Sequence, residues 1–262
     1  MRRSTFLWIL ALLVTLAAAV WQERTGPTYP MRGQVTLGGR VFDLTLTRSW
    51  DVGDQPVQLN VSDTAVQARL RWRRYPTSEP WHVVAMARSA DVLQASLPHQ
   101  PPAGKLEYQV ELARGQERVI FPGRPAVTRF KDPVSPAILV PHIFTIFLGM
   151  LFSTRAGLEA AVNGPSRRVL TWFALLFIVA GGLVLGPLVQ KAAFGTYWTG
   201  IPWGFDLTDN KTLIMAVVWM WAAWRISKSR AARWSLVIAA LVTLAVFVIP
   251  HSAWGSEIRW EG

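Results

Sequence analysis

The chain has 262 residues, of which 51% are hydrophobic, 16% charged and 14 are Trp, a composition too apolar and too Trp-rich for an ordinary soluble domain. It has no cysteine, which excludes disulfides, thiolate metal sites, covalently attached c-type haem and thioredoxin-like redox pairs. The net charge of +11 is a topology signal and not a nucleic-acid footprint, because its sign alternates along the chain between successive apolar runs.

That alternation is specific. The N-terminus and the segments 154–168 and 225–233 carry Arg2, Arg3, Arg155, Arg167, Arg168, Arg225, Lys228, Arg230 and Arg233 against Glu159 alone. Segments 190–211 and 251–262 carry Lys191, Lys211 and Arg259 against Asp206, Asp209, Glu257 and Glu261. The first set is expected in the cytoplasm and the second outside it.

Residues 1–21 have a basic start, an apolar run from Phe6 to Val20 and the small residues Ala17-Ala18-Ala19. They read as an uncleaved membrane anchor, with a cleavable secretory signal as the alternative. Either reading places the chain from residue 22 onward outside the cytoplasm.

From 22 to 134 the pattern changes to short period-two runs. Strands are expected at 35–37, 41–46, 57–61, 66–72, 82–86, 93–97, 106–112 and 118–121, with Gly38-Gly39 as a hairpin turn. Such spacing suggests a small sandwich of about seven strands. Arg69, Arg71 and Arg73 are expected on the solvated face of a strand whose Leu70 and Trp72 face the core; an aromatic and basic surface for anionic headgroups, including Arg74, is the alternative. His82 and His99 lack any second residue at a metal-ligand spacing and read as surface or edge histidines.

The stretch Pro101-Pro102-Ala103-Gly104-Lys105-Leu106-Glu107-Tyr108-Gln109-Val110 resembles the fibronectin type III family, in which a Pro-Gly turn leads into a strand whose Tyr packs on the core. The resemblance covers roughly residues 33–125. It implies an immunoglobulin- or fibronectin-like sandwich and a protein-contact role, and it carries over no catalytic residue.

Beyond Pro133 and Pro136, apolar runs at 136–153, 169–189, 212–226 and 234–250 join the one at 5–21, each near the ~20 residues a helix needs to cross a bilayer. The connection 154–168 reads as a loop with a short interfacial helix. In the run at 169–189, Ala180-Gly181-Gly182 permits close helix approach and Pro187 a kink. His142 lies about 9 Å below the start of its helix, where an ionisable group is a functional candidate by default.

Residues 197–212 connect two of these runs, and their aromatic, glycine and proline residues give way to Asp206, Asp209 and Asn210 where a new helix begins. Helix capping and an aromatic belt account for them without a ligand. The five-span topology nevertheless brings His142, Asp206, Asp209, Lys211, His251 and Glu257 to one side of the membrane.

The expectation is therefore an α+β membrane protein: a five-helix transmembrane bundle with a β-sandwich between helices 1 and 2. Its parts are an anchor at 1–21, an extracytoplasmic sandwich at 22–134, and a four-helix region at 135–262 with an outer loop at 190–211. It is placed in a bacterial inner membrane with a cytoplasmic N-terminus and an extracytoplasmic C-terminus. The favoured function is a non-enzymatic component whose sandwich and outer rim, with Trp198, Trp203 and Trp254 as anchors, bind a membrane or periplasmic partner protein. One alternative is a redox or metal-handling protein: His142 and His251 hold a b-type haem with Lys211 near a propionate, or Asp206, Asp209 and Glu257 help to hold a divalent metal. A quinone or lipid site is the other.

Overall fold

The computed structural model describes residues 2–229 and 232–250. It is mixed α+β and divides into a strand unit, residues 27–133, and a helical unit assembled from residues 2–26 and 134–250.

The strand unit begins with β1 (Met31–Leu37) and β2 (Arg40–Leu46), a hairpin whose Gly38 and Gly39 take φ of 59° and 74°. Two successive positive φ values are what a tight two-residue hairpin turn requires, and glycine adopts them without steric cost. Next come β3 (Ser49–Trp50), β4 (Gln55–Asn60), β5 (Gln67–Arg74), β6 (His82–Ala85), β7 (Ala87–Ser89), β8 (Val92–Leu97), β9 (Lys105–Arg114) and β10 (Glu117–Phe130). Beside the hairpin, these form a five-stranded sheet in the order β3-β10-β9-β5-β6 and a three-stranded sheet in the order β4-β8-β7. All eight expected runs fall on strands. What the sequence hid was β3, β7 and the second half of β10, where Pro122, Gly123 and Pro125 break the alternation but interrupt the pairing with β9 only between Phe121 and Ala126.

Residues of β1, β2, β4, β5, β8, β9 and β10 enclose one hydrophobic core. Tyr108 is fully buried in it, and its hydroxyl donates to the Thr47 carbonyl at 2.6 Å. Burial pushes the phenol pKa upward, so the group stays neutral.

The arginine face of β5 is less solvated than expected. Arg69 is exposed, but Arg71 and Arg73 are half-buried because their guanidinium groups lie 5.1 and 4.6 Å from the ring centre of Trp81. Arg73 also pairs with the buried carboxylate of Glu107 on the neighbouring strand. Trp72 is half-buried, packs on the core and stacks on His82 with ring centres 4.3 Å apart.

The helical unit contains α1 (Arg2–Thr25), α2 (Pro136–Ala161), α3 (Arg167–Ile178), a π-helical turn (Val179–Leu185), α4 (Gly186–Phe194), α5 (Leu207–Lys228) and α6 (Arg233–Val248). Among the described residues three helices are long and apolar enough to cross a membrane: Arg3–Thr25, Pro136–Ala161 and Arg167–Phe194, the last running through α3, the π turn and α4. Of the other two expected spans, α6 is apolar but only 16 residues long, and α5 begins with the buried polar residues Asp209 and Lys211.

Small residues let these helices approach. A Cβ added at Gly181 would meet the backbone N of Ile146 at 2.8 Å, and one at Gly157 would meet the Ala240 methyl at 2.4 Å, so α2 packs directly on the π turn and on α6. Polar contacts fasten α1 at both ends: Arg3 donates to the Val162 carbonyl at 2.7 Å and Gln22 to the Phe247 carbonyl at 3.1 Å.

One expectation is corrected. Residues 154–161 are not loop; α2 continues unbroken to Ala161, and Arg155 is buried rather than a free cytoplasmic charge. The helix tolerates these charges because Arg155 donates to Glu159 one turn later at 2.7 Å, and the other carboxylate oxygen of Glu159 accepts from the Ser166 backbone N at 3.1 Å.

Candidate functional site

The connection between α4 and α5 is a loop held almost wholly by the first turn of α5. Gly195, at φ 80°, ends α4 in the left-handed conformation that glycine favours. Asp206 caps α5 by accepting from the backbone N of Thr208 at 2.8 Å and of Asp209 at 3.4 Å. Its own backbone N donates to the Thr199 carbonyl at 3.0 Å and so closes the loop.

Asp209 is buried under that loop. One of its carboxylate oxygens accepts from the Thr199 backbone N at 2.5 Å, from the Thr199 hydroxyl at 3.2 Å and from Gln190 Nε2 at 3.2 Å. Asn210 adds a bond from the Ile201 backbone N at 2.8 Å. The backbone N atoms of Trp203 and Gly204 both donate to the Gly200 carbonyl at 2.9 Å. Gly200 has room only for hydrogen, since a Cβ there would lie 2.6 Å from Asp209 Cβ. The backbone N atoms of Thr199, Ile201, Trp203, Gly204 and Asp206 are thus bonded within the loop or to the first turn of α5, which fixes its shape.

With the backbone so held, the aromatic side chains point away. Trp203 is 80% exposed and Phe205 89%, and Tyr197 and Ile201 are also exposed. Trp198 is half-buried and donates from its indole N to the Ile201 carbonyl at 3.1 Å. Of the residues expected to anchor a partner, Trp203 is presented fully, Trp198 partly, and Trp254 lies outside the described residues.

The polar candidates are engaged in other work. Asp206 and Asp209 hold the loop, and among the described residues no group of three His, Asp or Glu side chains could hold a metal ion. Lys211 is 3% exposed and its ammonium donates to the Ile249 carbonyl, just past the end of α6. With Gln22 at the Phe247 carbonyl, it serves the carbonyl-rich end of α6, where the helix dipole favours a cation. His142 is half-buried on α2, with Nδ1 2.9 Å from the Gly181 carbonyl. His251 and Glu257 lie outside the described residues.

Sequence reading missed Gln190, and it singled out the stretch holding Thr199 and Phe205 without giving either residue a role. Gln190 carried a signal, being an amide at the end of an otherwise apolar helix; Phe205 carried none. The chain matches no protein-family model, no curated protein and no solved structure.

Proposed function

We propose that this is a multi-pass protein of a bacterial inner membrane, non-enzymatic, whose loop at 195–206 docks a partner protein on the extracytoplasmic side. In this reading the five helices α1, α2, the α3–α4 helix, α5 and α6 all cross the bilayer, with the N-terminus in the cytoplasm, and residues 27–133 form a fibronectin-like sandwich outside it. Residues 1–21 stay attached as an anchor. The bond from Arg3 to the Val162 carbonyl at the end of α2 supports that, since cleavage would remove its donor. N-terminal sequencing of the membrane-extracted protein tests it: a start beyond residue 21 removes the anchor.

The observation that carries the docking reading is a loop both rigidly bonded and strongly exposed at Trp203 and Phe205. Large aromatic groups held in one geometry lose little entropy on binding, and such anchors dominate interface energies. An aromatic belt accounts for Trp203, whose ring has a polar edge, but not for Phe205, which has none.

A photoreactive phenylalanine in place of Trp203, with a second protein carrying it at the lipid-facing Val140, tests the reading. Docking predicts a discrete protein adduct from position 203 alone. Only lipid adducts from both positions would sink it.

A further inference from the structure

His142 has an arrangement that the docking loop does not use. Its Nδ1 lies 2.9 Å from the Gly181 carbonyl, and a carbonyl only accepts, so Nδ1 carries the hydrogen. In the neutral ring this leaves Nε2 as a bare lone-pair acceptor. No described residue donates to Nε2.

Two features build this contact. Gly181 lacks the Cβ that would collide with Ile146, so α2 comes close enough for the ring to reach the carbonyl. The same carbonyl also accepts from the Gly186 backbone N, five residues on, which is the bond of the π turn. Such turns are uncommon and recur at functional positions.

The surroundings decide what can approach. Val140, Ile143 and Phe144 on α2, and Val184 and Leu188 on the facing segment, are all exposed apolar side chains, as lipid-facing residues are. The ring itself is half-buried. An acceptor at such a surface is poorly served by hydrocarbon and is matched by a donor that travels in the membrane. A metal ion would need further ligands, and no three-residue ligand group exists among the described residues.

We propose that His142 Nε2 accepts a hydrogen bond from the hydroxyl of a membrane-soluble molecule, either a hydroquinone or a hydroxylated lipid. The Gly181 carbonyl is the positioning group, because it fixes the tautomer and the ring plane.

The full chain in lipid nanodiscs, labelled with 15N in its histidine rings, tests this with decylubiquinol and dioctanoylglycerol as separate probes. The expected result is an unprotonated Nε2 at His142 whose resonance moves saturably with one probe. A response to decylubiquinol assigns the hydroquinone; a response to dioctanoylglycerol assigns the lipid. His142→Phe should weaken saturable binding of that probe by about tenfold, the loss of one hydrogen bond in a membrane. A hydrogen on Nε2 instead of Nδ1, no saturable shift with either probe, or undiminished binding by H142F would each overturn the proposal. Should H142F fail to insert, the tautomer read on the unaltered protein still decides.

Discussion

Two buried carboxylates of the helical unit face the same problem and solve it in opposite ways. Asp209, at the start of α5, is satisfied by neutral donors: a backbone N–H, a hydroxyl and an amide. Glu159, near the end of α2, is satisfied mainly by the guanidinium of Arg155, both side chains being almost completely buried. The first arrangement fixes a loop and leaves its aromatics outside; the second joins elements, since Arg155 also reaches the Ser4 hydroxyl at 3.4 Å and lies 5.3 Å from the Trp8 ring. Neutral donors suit a surface that has to present something, and charge suits an interior seam.

The comparison breaks most visibly at the ion pair. Glu159→Ala leaves Arg155 buried with its charge uncompensated, and loss of one partner of such a pair costs about 3–5 kcal/mol. Thermal melting of the detergent-solubilised protein should show it as the largest drop among these variants. The double variant Arg155→Met with Glu159→Leu should melt higher than Glu159→Ala, because no orphaned charge remains. A single variant that melts like the wild type would mean that water or lipid already serves Arg155.

At the loop the expected cost is smaller and its consequence more local. Asp209→Ala removes the acceptor of three donors and should destabilise by about 1–3 kcal/mol. Limited proteolysis should then cut within 196–205 while the rest of the helical unit stays resistant. Cross-linking from position 203 should fall along with it, since the aromatics lose their fixed geometry. A loop that remains protease-resistant in this variant would show that Asn210 and Asp206 suffice to hold it.

These two clusters were not equally legible in the sequence. Asp206 and Asp209 stand before an apolar run, a position where capping is expected, and Asp206 does cap α5; Asp209 instead accepts from Thr199 and Gln190, which stayed hidden because contacts across 10 and 19 residues leave no local pattern. Arg155 and Glu159 read as loop charges, since a basic residue beside an apolar run usually marks its cytoplasmic end. Only the i,i+4 spacing hinted that each would bury the other. In the strand unit legibility was far better: alternation such as that of Ala68 and Leu70 against Gln67 and Arg69 is written directly into neighbouring positions. Where β10 resumes after its prolines, the pattern is interrupted and the second half went unseen.

The strand unit supplies a third carboxylate, itself buried beside more exposed arginines, that combines both solutions. Asp63 accepts from the Ala65 backbone N at 3.0 Å and pairs with Arg114 at 3.0 Å and, more loosely, with Arg40 at 3.8 Å. The backbone bond is the main reason its pKa is lowered; desolvation opposes it, and Arg114 and then Arg40 add smaller lowering effects. A carboxylate whose folded pKa lies below its unfolded value stabilises the fold above the unfolded value, about 3.9. That stabilisation is lost as pH falls through the folded value. The full chain should therefore lose melting temperature on acidification below about pH 4, and Asp63→Asn should flatten that part of the profile while lowering stability at neutral pH. Added salt should weaken only the share owed to Arg114 and Arg40, because exposed ion pairs are screened and a backbone hydrogen bond is not. If salt abolished the Asp63-dependent difference altogether, the guanidinium groups and not the Ala65 N–H would be its source, and the contrast between neutral and charged partners would not extend to this unit.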